Sequence, residues 1–181
     1  AETQGTTLMI PRPNYKTLNV KIIGTTTLMT HAWSAKADRE IEQKQAQLVK
    51  TRKRAPRDPQ AEYEASMYKL PGGKFGIKAA SFRLAMVSAC RSIDGLPMTL
   101  ALQLFRCPDE FCIIESDGPV MDTGHVMIGP GTADLRSRAT FPNWRTTLRI
   151  RYDADAITPE QIGHLLVRAG ESVGVGEHRP A

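Results

Sequence analysis

Five short runs constrain what this chain can fold into: MTLALQLFR (98–106), FCIIES (111–116), PVMDTGHVMIG (119–129), ADLRSRATF (133–141) and RTTLRIRYD (145–153). Each is rich in branched residues and separated from the next by Pro, Gly, Asp or Asn, so each is expected to be a strand. Links this short join antiparallel neighbours, because a parallel return needs a crossover of a dozen or more residues. In the last run Leu148, Ile150 and Tyr152 alternate with Arg149 and Arg151. That alternation predicts one buried face and one basic face.

Helical patterns stand on either side of these strands. In KAASFRLAMVSACRSI (78–93), Phe82, Ala85, Met86 and Ala89 recur at helical spacing and form a core-facing stripe. In TPEQIGHLLVRAG (158–170), Thr158 suits the N-cap, Pro159 the first turn, and Gln161 completes a capping box. Its apolar face is Ile162, Leu165, Leu166 and Ala169, His164 lies on the helix surface, and Gly170 is expected to supply the left-handed C-terminal residue.

Upstream, KTLNVKIIGTTTLMT (16–30) reads as a half-buried strand that ends or bulges near Gly24. The stretch 34–54 has strong helix formers but a thin stripe, Ala37, Ile41 and Leu48, which predicts an exposed helical arm stopped by Pro56 and Pro59. Residues 57–76 read as a loop anchored by Tyr63 and Tyr68. The order predicts one α+β domain over 1–181, with antiparallel strands and helices on one face. A ferredoxin-like, RNA-recognition type of plait fits it, with an enlarged, partly helical insertion (34–76) after the first strand.

Lys50, Arg52, Lys53, Arg54 and Arg57 lie within eight residues that hold no acid, and they account for the whole net charge of +5. A local basic run is the distribution expected of an arm that meets phosphates. Three cysteines, Cys90, Cys107 and Cys112, make no disulfide framework and favour a reducing, cytoplasmic setting. No apolar run approaches the roughly 20 residues of a membrane helix, and the first residues do not read as a signal peptide.

Cys107 and Cys112 are spaced too widely for a zinc knuckle, so no metal is expected. The four histidines stand far apart with no nucleophile elbow, and no Walker or dinucleotide loop is present, so neither cofactor nor catalysis is expected. What remains suits nucleic acid. Besides the basic run there are Lys74 and Lys78 leading into a helix that carries Arg83, and a terminal loop with Gly174, Gly176, His178 and Arg179. Glycine-flanked amides can hold phosphates. His31 and Trp33 are candidates for stacking or wedging against bases.

The segment GIKAASFRLAMVSA, with Gly76, Ala79, Ala80, Ser81, Phe82, Arg83 and Ala85 in the matching places, resembles a motif of the RAMP superfamily. The branch it suggests is the backbone subunit of CRISPR effector complexes. The end of the first strand (GTTTLMTHAW) and AGESVGVGEHRP resemble that superfamily's first strand and glycine-rich loop. Lys78 stands where the motif has proline and Leu84 where it has glycine. The chain also resembles phage and prophage proteins of no assigned activity that end in Gly-x-Gly-Glu-x-x-Pro. The resemblance implies a non-catalytic subunit that binds single-stranded nucleic acid, RNA before DNA, and self-assembles into a filament. Some members of the superfamily cut RNA with an aspartate, for which Asp38 is the nearest counterpart. The alternative is a phage structural or assembly protein whose basic arm contacts neighbouring subunits.

Overall fold

The computed structural model describes residues 9–32, 42, 46, 56–177 and 179. The chain is α+β, with strands paired throughout in antiparallel fashion. Strand β1 (Tyr15–Ile23) pairs along its whole length with β9 (Arg145–Asp153), whose other edge carries the short β5 (Phe105–Arg106). A second sheet has the order β3 (Tyr68–Leu70), β4 (Lys74–Lys78), β6 (Phe111–Ile114). The two are joined edge to edge at Glu115 and Arg145, which exchange backbone hydrogen bonds of 2.9 and 2.8 Å. The Thr146 hydroxyl adds a bond to the Ile113 carbonyl at 2.7 Å.

The third sheet centres on a long hairpin, β7 (Val120–Gly129) and β8 (Thr132–Phe141), with β2 (Leu28–Thr30) on the far edge of β8. Helix α1 (Pro59–Ala65) lies against β8. The Asp58 side chain caps it, and Glu62 and Ser66 accept the backbone N–H groups of Ser137 and Ala139 at 3.1 and 2.8 Å.

The core forms where α2 (Ala79–Ala89) and α4 (Pro159–Ser172) pack together over the first two sheets. Phe82, Ala85, Met86 and Ala89 of α2 and Ile162, Leu165 and Ala169 of α4 are buried, as their spacing predicts. They meet Leu148, Ile150 and Tyr152 from β9, and Cys112 and Ile114 from β6. The Thr158–Gln161 capping box is present. No helix among the described residues is long and apolar enough to cross a membrane.

Several sequence expectations need correction. Residues 98–104 are not a strand but helix α3 (Met98–Leu104), and only Phe105 and Arg106 extend. Met, Leu, Ala and Gln are strong helix formers. Burial of Ala101 and Leu104, three apart, with Leu100 and Leu102 exposed, shows the helical period winning over the apparent alternation. Residues 57–76 are not a loop: they supply α1, β3 and the start of β4. Pro59 opens a helix at its first turn, where its missing N–H costs nothing. The run 16–30 divides into β1 and β2, in different sheets. Gly170 does not end the last helix, which continues to Ser172. Gly174, at φ 68°, takes the left-handed role and donates its N–H to the Ala169 carbonyl at 2.8 Å. The expected arm helix over 34–54 lies outside the described residues except at Glu42 and Ala46, linked by a helical hydrogen bond of 2.9 Å.

Candidate functional site

Because α2 and α4 cover one side of the joined sheets, the strand residues of opposite parity face away from them. On β9 these are Arg145, Thr147, Arg149 and Arg151. Register places Asn19 beside Arg149, Lys21 beside Thr147 and Thr17 beside Arg151. On the other flank Arg106 stands beside Arg151, and Lys78 of β4 stands beside Phe111 of β6. Lys21, Lys74, Lys78, Arg106, Arg145 and Arg149 are exposed, and no described element covers this face. Strands lie about 4.8 Å apart, so cations from four strands share one surface.

Aromatic rings lie among these charges. Tyr15 carries the Arg151 guanidinium 4.7 Å from its ring centroid. Tyr68 and Phe111 are neighbours with centroids 5.3 Å apart, and the Lys78 ammonium stands 5.7 Å from the Tyr68 centroid. Two acids temper the face. Asp109 holds Arg149 through both carboxylate oxygens, and Glu115 lies 3.8 Å from the Arg145 Nε. Both pairs are substantially exposed, so each contributes at most about 1 kcal/mol and leaves the arginines available to another anion.

Of the residues singled out from sequence, Lys74, Lys78, Arg149 and Arg151 come together here. Arg57 and Arg83 are committed elsewhere. Arg57 donates to Glu62 Oε2 at 3.0 Å and to the Ser137 hydroxyl at 2.7 Å, tying α1 to β8. Arg83 donates to the carbonyls of Leu102 and Phe105 at 2.6 and 3.1 Å, capping the end of α3. Lys50, Arg52, Lys53, Arg54, Trp33, Asp38 and His178 lie outside the described residues.

The glycine loop meets its own chain. A Cβ on Gly176 (φ 86°) would stand 2.6 Å from the Met29 carbonyl oxygen, which also accepts the Glu177 N–H at 3.0 Å. The Glu177 carboxylate reaches Arg138 at 2.9 Å, and Arg179 is exposed beyond it. His31 lies near this pair. Partial burial of its ring lowers its pKa, Glu177 pulls the other way, and Arg138 and Arg136 add to the lowering.

Lys21, Arg106, Arg145, Tyr15 and Phe111 escaped sequence reasoning as members of a site. The alternation in β1 places Lys21 on the polar face, but only the register with β9 brings it to the arginines. The thiols offer no nucleophile at neutral pH: burial pushes Cys107 up to about 12 and Cys112 up to about 11. Among the described residues no group of three or more His, Cys, Asp and Glu could hold a metal ion. No protein-family model matches the chain, and no curated protein matches it significantly.

Proposed function

We propose that this protein binds single-stranded nucleic acid along the uncovered sheet face, without reading base sequence. One observation carries the reading: cations from β1, β4, β5 and β9 and the rings of Tyr15, Tyr68 and Phe111 share a surface that no described element covers. Phosphate contacts supply sequence-independent affinity, and rings accept the bases of an unpaired strand. The helix pair α2 and α4 on one side of an antiparallel sheet, with the other side open, supports the finer reading of a ferredoxin-like, RNA-recognition type of plait. RNA is the strand the RAMP resemblance implies, and in this reading the role is binding rather than cleavage.

Self-assembly along the strand belongs to the same proposal, and the hairpin favours it. Met127 and Ile128 near its tip are 69% and 51% exposed, a place for a neighbouring subunit. The same observation favours the second reading, a structural or assembly protein that contacts its neighbours without nucleic acid.

The test is fluorescence anisotropy of labelled single-stranded RNA, single-stranded DNA and duplex at several salt concentrations, with light scattering on short and long strands. The proposal expects single strands to bind with affinity that falls steeply as salt rises, and complexes that grow with strand length. Absence of binding to any strand, with oligomers already formed in the free protein, overturns it in favour of the second reading.

A further inference from the structure

The part of the open face around Gly76 has a shape that phosphate binding alone does not require. Register places Tyr68 opposite Gly76 on one side and Ile113 opposite it on the other, with Phe111 and Lys78 paired two residues along, on the same face. A Cβ at Gly76 would come within 3.3 Å of the Phe111 Cβ and 2.8 Å of a Leu70 methyl. With glycine there, Leu70 and the Phe111 Cβ come close to the backbone, and the Tyr68 and Phe111 rings lie 5.3 Å apart, tilted by 48°. Both rings are half-buried, so each keeps part of its surface open.

The two tyrosines near this site differ in a way that matters. Tyr63 spends its hydroxyl on the Pro119 carbonyl at 3.1 Å, as a structural tyrosine does. The Tyr68 hydroxyl has no hydrogen-bond partner among the described residues, and its ring carries the Lys78 ammonium instead. A ring pair with an idle hydroxyl and a cation at its edge presents apolar area, a donor–acceptor and a positive charge together. A nucleotide presents the matching set: a flat base, polar base edges and a phosphate.

We infer that Tyr68 and Phe111, with Lys78 beside them, form a seat for one unpaired nucleobase, where the base lies against the ring pair and its phosphate meets Lys78. This rests on the proposed reading of the whole face. It adds that one position on that face takes hold of the base and not only of the backbone, which sets single strands apart from duplexes, whose bases are already stacked.

The experiment compares a labelled oligouridylate with an abasic ribose-phosphate strand of equal length, and hence equal charge, by anisotropy at fixed salt. Wild-type protein is expected to bind the base-bearing strand roughly tenfold tighter. Phe111→Leu and Tyr68→Leu, which remove a ring but keep apolar volume, are expected to lose most of that preference while the abasic strand binds as before. Equal affinity of wild-type protein for the two strands overturns the base seat and leaves phosphate binding standing. A full preference retained by a folded Phe111→Leu protein also overturns it. Failure to bind either strand removes the underlying reading together with the seat. The wild-type comparison needs no substitution, so a variant that does not fold leaves the decision intact.

Discussion

The backbone N–H of Gly24 donates to the Trp144 carbonyl at 3.0 Å, and the Trp144 indole lies directly on the glycine, where a methyl group would overlap its Nε1 and Cε2 atoms. The indole N–H continues to the Thr26 carbonyl at 2.9 Å. β1 therefore stops at Ile23 because the chain must leave the sheet around a buried tryptophan. Gly24→Ala is expected to displace the ring and cost about 2 kcal/mol, as overpacked cores do. For a chain of this size that is a fall of about 4–8 °C in the thermal midpoint. An unchanged midpoint would refute the contact.

The glycine loop gives a second comparison. Gly176→Ala must either push its Cβ into the Met29 carbonyl or lift the loop from β2, and its positive φ adds strain. Gly174→Ala disturbs only a left-handed helix terminus, worth about 1 kcal/mol. Calorimetry should therefore rank Gly176→Ala as the more damaging. The reverse order would mean that the loop's docking contributes little.

Arg83 and the cations of the open face should separate in their effects. Arg83→Gln removes bonds to the Leu102 and Phe105 carbonyls and is expected to lower stability by about 1–3 kcal/mol, with the salt dependence of strand binding unchanged. Lys78→Gln and Arg149→Gln should barely move the melt, and each should flatten the log–log salt slope by about 0.7 if its phosphate contact is lost. Measuring slope and midpoint on the same three variants checks both halves. A changed slope for Arg83→Gln would return that residue to the binding surface.

Glu62 gives the acid limb of stability a specific origin. Burial works to raise its pKa, but hydrogen bonds from Arg57 and the Ser137 N–H outweigh it and hold the carboxyl below its ordinary 4.5. A carboxyl depressed in the folded state contributes fully above its unfolded pKa and loses that contribution as pH falls through the folded value. Denaturation midpoints of wild type and Glu62→Gln should therefore differ at pH 7 and converge as pH falls below 4.5. A gap that stays constant with pH would exclude the charge as its cause.

How much of this was legible depends on how far each signal reaches along the chain. The capping box at Thr158, the stripe in α2 and the alternation in β9 are local, and the structure has them where the spacing puts them. Met98, Leu100, Leu102 and Leu104 mimic a strand because a short helix and an alternating strand share such a pattern, and only burial of Ala101 and Leu104 decides between them. The misplaced glycine has a similar origin: the helix ran two residues past Gly170, to Ser172, before Gly174 took the left-handed role. The open face was half visible, as arginines on one strand. Its remainder depends on pairings between distant segments, such as Lys21 with Thr147 and Lys78 with Phe111, that no local pattern encodes. Arg57 and Arg83 read as phosphate ligands because their charge is written in the sequence and their partners are not.

The pairing of β1 with β9 also sets a timetable. β1 is synthesised well before β9, its ladder partner among the described residues. At about 5–20 residues per second, the first strand waits on the order of ten seconds with both edges unsatisfied. Lys16 and Lys21 sit along it, and edge lysines discourage pairing with the wrong strand. Of the two, Lys21 is the one that later faces the open surface, so that charge protects the nascent chain before the surface exists.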